Sequence, residues 1–372
     1  MASSDLLVLK RSVGEALRNL ALAPVDALRS AATTIFSMDA TCAGSHPINH
    51  LVGVEEIVEQ LLIPMKIAMP DLERRDDILV AGHFAGEDWV SATGYYYGTM
   101  VEDWLGLPAS NHWLQVRFGE FYRLVDGRVV DCYLLFDVLD VLRQLGLNPM
   151  PRARGIEGLV PGPATQDGLM FTRHDAQESR KSADLVDAMI IEGLLSYDRI
   201  DNASIGMERF WHPNMMWYGP AAIGSTRGLQ GFLRHHQHPW QEAFPDYAQE
   251  PAGIDATAGV TGLQAYHEHA WQRNQAHYKG GKEIVRLADG NYVSWSGWPG
   301  IHATHTGADL FGMPASGRPF TVRVMDFWRR DGDLLSENWV LIDMPHLLQQ
   351  LGVDVFEQSS RSRRLNRPSV VG

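Results

Sequence analysis

The sequence predicts an α+β fold that occurs twice in tandem. Met69-Pro70-Asp71 returns 175 residues later as Phe244-Pro245-Asp246, and Gly106-Leu107-Pro108-Ala109-Ser110 returns 206 residues later as Gly312-Met313-Pro314-Ala315-Ser316. In each copy, segments with helical spacing come first, and segments rich in Val, Tyr, Phe and Trp follow them. A repeat of this length is a whole domain. We therefore expect two domains, each with helices covering one face of a curved antiparallel sheet.

The first copy, residues 1–147, is expected to open with helices. Apolar residues recur at helical spacing from Leu6 to Leu20, a second helical stretch covers 27–35, and a third covers 54–69 and stops at Pro70. Asp126-Gly127 is a strong signal for a hairpin turn. The strands expected in this copy are 88–99, 114–125 and 128–137.

The second copy, residues 173–356, follows the same order. A linker rich in Pro and Gly, 148–172, precedes it, and a tail, 357–372, ends the chain. An insertion near 250–282, rich in His and Trp, could serve as a lid or as a surface excursion. The elements expected here are helices at 176–200 and 229–244 and strands at 292–306, 320–330 and 334–342.

Composition and charge restrict the classes of partner. The net charge of −13 disfavours nucleic acid and anionic membranes, because binding to either depends on clustered Lys and Arg. We see no signal peptide or membrane span, so a cytoplasmic protein is expected. His235, His267, His269 and His277 could meet in space, yet no metal-binding spacing, phosphate loop or dinucleotide fingerprint is present. We therefore expect no metal and no cofactor.

The second copy contains three distinctive motifs: 210–217 (Phe-Trp-His-Pro-Asn-Met-Met-Trp), 303–307 (Ala-Thr-His-Thr-Gly) and Glu337-Asn338-Trp339. These motifs resemble those of the SnoaL-like polyketide cyclases of the nuclear transport factor 2-like superfamily. The resemblance implies a cone-shaped α+β domain. It covers nearly the whole second copy, whereas the first copy is looser, with Thr99 in place of His305 and Cys132 in place of Asn338.

The resemblance leaves two classes of function open, because relatives include cyclases, isomerases, dehydratases, epoxide hydrolases and members without chemistry. The first hypothesis is a cofactor-independent acid–base enzyme, a cyclase-like lyase or isomerase that acts on a small carbonyl-containing molecule through an enolate. The alternative is a non-catalytic small-molecule-binding or scaffold protein with two cone-shaped pockets. The substrate, the number of active copies and the oligomeric state do not follow from the sequence.

The candidate catalytic residues lie on the last hairpin of each copy. A four-residue loop would place Asp326 opposite Glu337, and Glu120 opposite Asp131, so that one carboxyl of each pair would carry a proton near neutral pH. Arg323 and its first-copy equivalent Arg117 would then stabilise the enolate or hold a substrate carboxylate. The alternative is that these groups form a salt bridge on the sheet face without a catalytic role, and their recurrence in both copies does not decide between the two. In a regular strand, however, Arg323 and Asp326 point to opposite faces, so a bulge would be required.

Histidines and aromatic residues complete the predicted site. His305 is a candidate acid or base, because the pKa of histidine lies near neutrality. The aromatic residues of the second copy suit an apolar cavity for a small organic ligand. Superfamily members often dimerise through the open sheet face, so the two copies are expected to pack as an intramolecular pseudo-dimer, with further self-association open. The predicted substrate-binding residues are His302, Trp217, Trp298, Trp339, Tyr218 and His236.

Overall fold

The structure is a computed structural model, and it describes residues 5–147, 149–158, 160–173, 175–194, 206–247 and 283–359. It contains two six-stranded sheets, each accompanied by helices, which follow one another along the chain. The predicted fold class, an α+β domain in tandem duplication, is confirmed. The predicted insertion at 250–282 and most of the predicted tail lie outside the described residues.

The first repeat opens with helices α1 (Leu6–Leu22), α2 (Leu28–Ile35) and α3 (53–68) and closes with α4 (Val138–Gln144). Its sheet has the order β2-β1-β6-β5-β4-β3. The strands are β1 (Phe36–Gly44), β2 (His50–Val52), β3 (Glu73–Phe84), β4 (Glu87–Thr99), β5 (Trp113–Val125) and β6 (Arg128–Phe136).

The second repeat has the same order of elements. Helix α5 (Ala176–Ala188) continues into the π-helical turns of Met189–Leu194, α6 covers 228–243, and α7 is Met344–Gln350. The sheet order β8-β7-β12-β11-β10-β9 repeats that of the first sheet. The strands are β7 (Trp211–Tyr218), β8 (Thr226–Arg227), β9 (Glu283–Asp289), β10 (Tyr292–Thr304), β11 (Pro319–Asp331) and β12 (Leu334–Ile342).

The sequence patterns did not predict strands β1 and β3 of the first sheet or their equivalents, β7 and β9, in the second. β1 pairs in parallel with β6, and β7 with β12, so the partners of these strands lie far away in the sequence. β3 begins with Glu73-Arg74-Arg75-Asp76, a charged run that is untypical of strands. Long-range pairing of this kind leaves no local turn signal.

Helices α3 and α6 share an irregularity at the same position. Each contains a five-residue π-helical stretch, Val58–Leu62 and Leu233–Gln237, and a proline, Pro64 or Pro239, begins the next helical segment. Proline lacks the N–H that would continue the α-helical pattern, so the widened turn accommodates it. In α6 this stretch carries His235 and His236.

The two sheets pack face to face within the chain. Ser91 Oγ lies 2.7 Å from Ser294 Oγ, and the rings of Phe121 and Phe327 are 5.9 Å apart. Each of these pairs joins equivalent positions of the two repeats, which is the arrangement expected around a two-fold axis. An apolar cluster shared by both sheets, which includes Tyr133, Trp298 and Trp339, fills this interface.

Helices cover the opposite face of each sheet and complete the main core. Each sheet therefore has one face toward the other repeat and one face toward its own helices. Since successive side chains of a strand alternate between faces, the parity of a residue number decides where its side chain lies. No helix in the described parts of the chain is long and apolar enough to cross a membrane.

Candidate functional site

A cavity of about 120 Å³ lies between the second sheet and its helices. Apolar and aromatic side chains form most of its wall, and few polar groups face it. This composition is typical of sites for small organic ligands. The residues that line it include Met189, Trp211, Trp217, Phe232, His236, Trp240, Trp295, His302, Val324, Asp326, Trp328, Asn338 and Val340.

Asp326 is the carboxylate of this cavity. On β11 the side chains of Val324, Asp326 and Trp328 face the helices, because they alternate with residues that face the other repeat. The only hydrogen bond that Asp326 accepts from a described side chain comes from Asn338 Nδ2, at 3.1 Å. Burial raises the pKa of Asp326 to about 7, and the hydrogen bond from Asn338 opposes this shift. Asp326 can therefore take up or release a proton near neutral pH.

Asn338 fixes the position of that carboxyl group. It lies on β12 and donates from Nδ2 both to Asp326 Oδ1 and to the backbone oxygen of Phe327, each at 3.1 Å. The sequence analysis noted Asn338 within the Glu337-Asn338-Trp339 motif and as a difference from Cys132 in the first repeat, but gave it no role at the site. The available signal was the alternation along β12, which places Asn338 and Val340 on one face and Glu337 and Trp339 on the other.

His236 lies against Trp217 on the same cavity wall. The two rings are stacked, with centroids 4.2 Å apart and an interplanar angle of 17°. Burial lowers the pKa of His236 to about 3, so the imidazole is neutral over the physiological range. A neutral imidazole can still donate one hydrogen bond to a ligand.

The predicted pairing of Asp326 with Glu337 is wrong. Asp326 pairs with Val340 and Arg329 pairs with Glu337, and in the first repeat Glu120 pairs with Leu134 and Arg123 with Asp131. The hairpin of the first repeat closes with only two residues, Asp126 and Gly127, both at positive φ, not with the four-residue loop that was assumed. The shorter loop displaces the register by two residues, and a β-bulge between Arg329 and Arg330 displaces it by a third. The total is odd, so Glu337 lies on the face opposite Asp326.

Glu337 therefore lies between the repeats. Its carboxylate accepts a hydrogen bond from Arg329 Nε at 2.5 Å and others from the backbone N–H of Ala164 and the hydroxyl of Tyr218, at 3.2 and 3.4 Å. Trp339 lies on the same face, stacks on Tyr218 and donates to the oxygen of Pro161. These contacts join the linker to the second sheet and leave Glu337 away from the cavity.

Arg323 and Arg117 also lie at the junction of the repeats. Arg323 Nη1 contacts Asp343 Oδ2 at 3.0 Å and donates to the backbone oxygen of Gly44 in the first repeat, at 3.3 Å. Arg117 reciprocates, donating to the oxygens of Gly219 and Tyr218 at 3.2 Å. The two arginines recur because they join the repeats, and neither lines the cavity. No bulge separates Arg323 from Asp326.

The remaining candidates divide between the cavity and other places. His305 is fully buried outside the cavity: its Nε2 lies 3.2 Å from the oxygen of Ala308, and its Nδ1 accepts from the N–H of Ser316 at 3.4 Å. It holds the loop after β10. Three of the six predicted substrate-binding residues line the cavity: Trp217, His236 and His302. The three others belong to the interface cluster: Trp298, Trp339 and Tyr218.

The first repeat has a smaller cavity, of about 50 Å³, with Glu120 at the position of Asp326. Glu120 forms an ion pair with Arg74 and accepts hydrogen bonds from Tyr122 and Tyr96 at 2.6 and 3.1 Å. Asp131, its predicted partner, lies on the other face and pairs with Arg123 and Thr41. Glu120 is thus neutralised by an ion pair, whereas Asp326 forms none with the described residues, and the charge of Arg117 opposes the effect of burial on its pKa only in part.

Metal binding gains no support from the described part of the chain, where no group of three or more His, Cys, Asp or Glu side chains is placed to hold an ion. His267, His269 and His277 lie outside the described residues.

The sequence analysis also did not name Trp295 and Trp328 as individual site residues, although both line the cavity. Their alternation with interface residues on β10 and β11 was the available signal.

Comparisons with known proteins give a family match for part of the chain. Residues 30–145 match the model of the SnoaL-like polyketide cyclase family, so the match falls on the first repeat, although the resemblance in the sequence was more extensive in the second. No curated protein matches the chain.

Several solved structures are similar to parts of the chain. A SnoaL-like polyketide cyclase from Jannaschia sp. CCS1 is 16% identical over 39% of this chain and 96% of its own, with a TM-score of 0.33. AclR from Streptomyces galilaeus, described as a hydroxylase, is 21% identical over 38% of this chain and 97% of its own, with a TM-score of 0.31. IdmH from Streptomyces antibioticus, described as a polyketide cyclase, is 21% identical over 48% of this chain and 99% of its own, with a TM-score of 0.28. The family match thus covers the first repeat, and the second repeat has the same sheet order.

Proposed function

We propose that the second repeat is a cofactor-independent acid–base enzyme, a cyclase-like lyase or isomerase, which acts on a small apolar molecule that contains a carbonyl group. The observation that carries this proposal is the carboxyl group of Asp326, which faces an apolar cavity and has a pKa of about 7. General acid–base catalysis is most effective when the pKa of the catalytic group lies near the working pH. Asp326 meets that condition.

In the first step, the carboxylate of Asp326 removes a proton from the carbon next to the substrate carbonyl. The C–H electron pair moves into the carbonyl and gives an enolate. The apolar walls provided by Trp211, Trp295 and Trp328 exclude water from the reacting carbon. Asp326, now protonated, keeps the proton close to the substrate.

In the second step, the enolate carbon attacks another carbonyl of the same molecule, and Asp326 returns its proton to the new alkoxide. For an isomerase, the proton returns instead to another carbon of the enolate. In both cases Asp326 ends as the carboxylate with which it began. The reaction therefore needs no external oxidant, reductant or proton store.

Two neighbouring residues support this chemistry. His236 is neutral and can donate a hydrogen bond to the enolate oxygen without competing for the proton, as a neutral imidazole can polarise a carbonyl. Asn338 is a positioning residue, because it holds Asp326 through one hydrogen bond and anchors itself to Phe327. We assign the first repeat a supporting role, since its equivalent carboxylate, Glu120, is already paired with Arg74.

The proposal is tested by enolisation of a simple probe. 2-Tetralone is incubated with the purified protein in D₂O, and exchange of its α-protons for deuterium is followed by NMR. We expect the protein to accelerate exchange and Asp326→Asn to reduce this acceleration at least about 100-fold, the lower end of the contribution of a general base. The accelerated rate should fall as the pH decreases through about 7, because the protonated carboxyl group cannot accept the proton.

Glu337→Gln separates this assignment from the one based on sequence alone. Because Glu337 lies between the repeats, the variant should retain the exchange rate when its circular dichroism is native. An Asp326→Asn protein that exchanges as fast as the wild type, or a folded Glu337→Gln protein that has lost exchange, would contradict the proposal. In either case the alternative, a non-catalytic small-molecule-binding protein, would be favoured.

A further inference from the structure

A second cavity, of about 290 Å³, adjoins the first on the outer side of helix α6. Its lining includes Arg152 and Arg154 of the linker, His235 of α6 and Asp309 of the loop after β10. His236 and Trp240 line both cavities, so these two side chains form a shared wall. A ligand in the outer cavity would therefore lie against the same two side chains that line the cavity of Asp326.

The arginines of the outer cavity differ from the buried arginines of the protein. Arg74, Arg117 and Arg323 are committed to carboxylates or backbone oxygens. Arg152 and Arg154 are exposed, and neither has a hydrogen bond or an ion pair with any residue that the structure describes. Even with Asp309 ionised, these two arginines leave the outer cavity with a net positive charge.

The backbone that carries these arginines is held in place. The N–H of Gly155 donates to the oxygen of Ile223 at 2.9 Å, and Ile156 and Ser225 exchange backbone hydrogen bonds of 2.9 and 2.7 Å. Glu157 adds a side-chain contact to the N–H of Ala222, at 2.8 Å. This short antiparallel bridge fastens the linker beside α6, so Arg154 stands next to an anchored residue.

We infer that the outer cavity is a subsite for a carboxylate group, and that the substrate is an organic acid with an apolar carbonyl-bearing body. A guanidinium group is planar and binds a carboxylate through two parallel hydrogen bonds, which fixes orientation as well as charge. Arg152 and Arg154 hold the acid end, while the body reaches past His236 and Trp240 toward Asp326. This inference rests on the proposed function, because it takes the inner cavity as the reacting site.

The test compares two probes that differ in charge. Binding of 2-naphthoate and of uncharged 2-naphthalenemethanol is measured by titration calorimetry against the wild-type protein and the double variant Arg152→Gln/Arg154→Gln. We expect the double variant to bind 2-naphthoate about tenfold more weakly and 2-naphthalenemethanol within twofold of the wild type. Added salt should weaken only the binding of 2-naphthoate, because the exposed guanidinium groups are screened.

The matched control is Arg75→Gln/Arg180→Gln, which removes two exposed positive charges that do not line either cavity. It should bind both probes as the wild type does. Equal weakening of the two probes in the Arg152/Arg154 variant, or the same loss in the control, would overturn the carboxylate subsite.

The outcomes also separate the subsite from the proposed function. If Asp326→Asn loses exchange of 2-tetralone while the Arg152/Arg154 variant binds 2-naphthoate normally, the subsite is wrong and the acid–base function stands. If the wild-type protein binds neither naphthalene probe, the cavity is not a site for ligands of this kind, and both inferences fail.

Discussion

The two repeats place a carboxylate at the same position and give it opposite surroundings. In the first cone, Glu120 is paired with Arg74 and accepts hydrogen bonds from Tyr96 and Tyr122. In the second repeat, Asp326 has one hydrogen bond with the described side chains, from Asn338, and faces a cavity more than twice as large. Duplication therefore preserved the scaffold, while the neighbours of one side chain determine whether its charge is compensated.

This difference gives the two carboxylates different roles: the paired one contributes to the stability of the fold, and the other is available for acid–base chemistry. A buried carboxylate that is fully paired contributes to a fixed core, and its removal leaves a buried cation without its partner. A buried carboxyl group without a cation is costly when ionised, but it holds a proton near neutral pH. We therefore expect the same change, a carboxylate to its amide, to have opposite effects on stability in the two repeats.

The largest effect is expected from Glu120→Gln. The change removes the charge that compensates Arg74 in the first cone, where both side chains are buried. We expect the free energy of unfolding to fall by about 3–5 kcal/mol, the usual cost of breaking a buried ion pair from one side. Urea denaturation followed by circular dichroism measures it. A loss below about 1 kcal/mol would show that Asp76, which also contacts Arg74, compensates the charge of Arg74 without Glu120.

The junction between the repeats gives the next comparison. Arg323 forms an ion pair with Asp343, whose pKa is raised by burial. Among the described residues, Arg117 donates to the backbone oxygens of Gly219 and Tyr218, and its charge acts on Asp137 without forming an ion pair. Arg323→Gln should therefore lower the free energy of unfolding by about 3 kcal/mol, and Arg117→Gln by about 1–2 kcal/mol. Equal losses in the same denaturation assay would mean that the two arginines are equivalent.

Asp326→Asn is expected to stabilise the protein at high pH. The folded protein retains the Asp326 proton up to about pH 7, whereas the unfolded chain releases it near 3.8, so this residue makes the wild type less stable as the pH rises between those values. At pH 8 the variant should be more stable by about 2 kcal/mol, a figure reduced from the full shift because the carboxyl group faces a cavity. Below about pH 4 the difference should vanish.

Thermal unfolding at pH 4 and pH 8 checks this prediction, with Asp131→Asn as the matched control. Asp131 is partly exposed, lies on β6 between β1 and β5, and pairs with Arg123. Its replacement should not be stabilising at either pH. An Asp326→Asn protein that is less stable than the wild type at pH 8 would show that the carboxylate is compensated in solution.

The smallest effect concerns the pKa of Asp326 itself. The hydrogen bond from Asn338 lowers that pKa, so Asn338→Leu should raise the midpoint of the pH–rate profile for 2-tetralone exchange by about one unit. The maximal rate should change less, because Asn338 positions the carboxyl group and does not move a proton. An unchanged midpoint would contradict the role of Asn338 in lowering the pKa of Asp326.

The sequence predicted more of the fold than of the site. The strands 128–137 and 334–342 were recognised nearly in full because their Val, Leu and aromatic residues follow local turn signals. The site prediction was wrong at the hairpin: an assumed loop of four residues put Glu337 opposite Asp326, whereas Asp326 pairs with Val340. The shorter loop accounts for two residues of this displacement, and the bulge between Arg329 and Arg330 accounts for the third. A displacement by an odd number of residues moves a side chain to the other face of the sheet, so the bulge exchanged the cavity and the interface.

The recurrence of Arg117 and Arg323 misled in another way. Repetition indicates that a residue matters to the shared fold, but not whether it serves chemistry or assembly. Here each arginine reaches across to the other repeat, to Gly219 or Gly44, and such contacts cannot be read from either copy alone. The sequence also could not show which side of α6 faces the cavity, because the π-helical stretch that carries His236 is not visible in the helical periodicity.

By itself, the amino-acid sequence determined the duplication, the order of helices and strands in each copy, and the presence of acidic and aromatic residues on the last two strands, because these follow from spacing and local propensity. Only the tertiary structure decided which carboxylate is compensated by a cation, which face of each strand meets the other repeat, and where the unpaired arginines stand. Those outcomes depend on register and on contacts between residues far apart in the chain, and local patterns do not encode either of them.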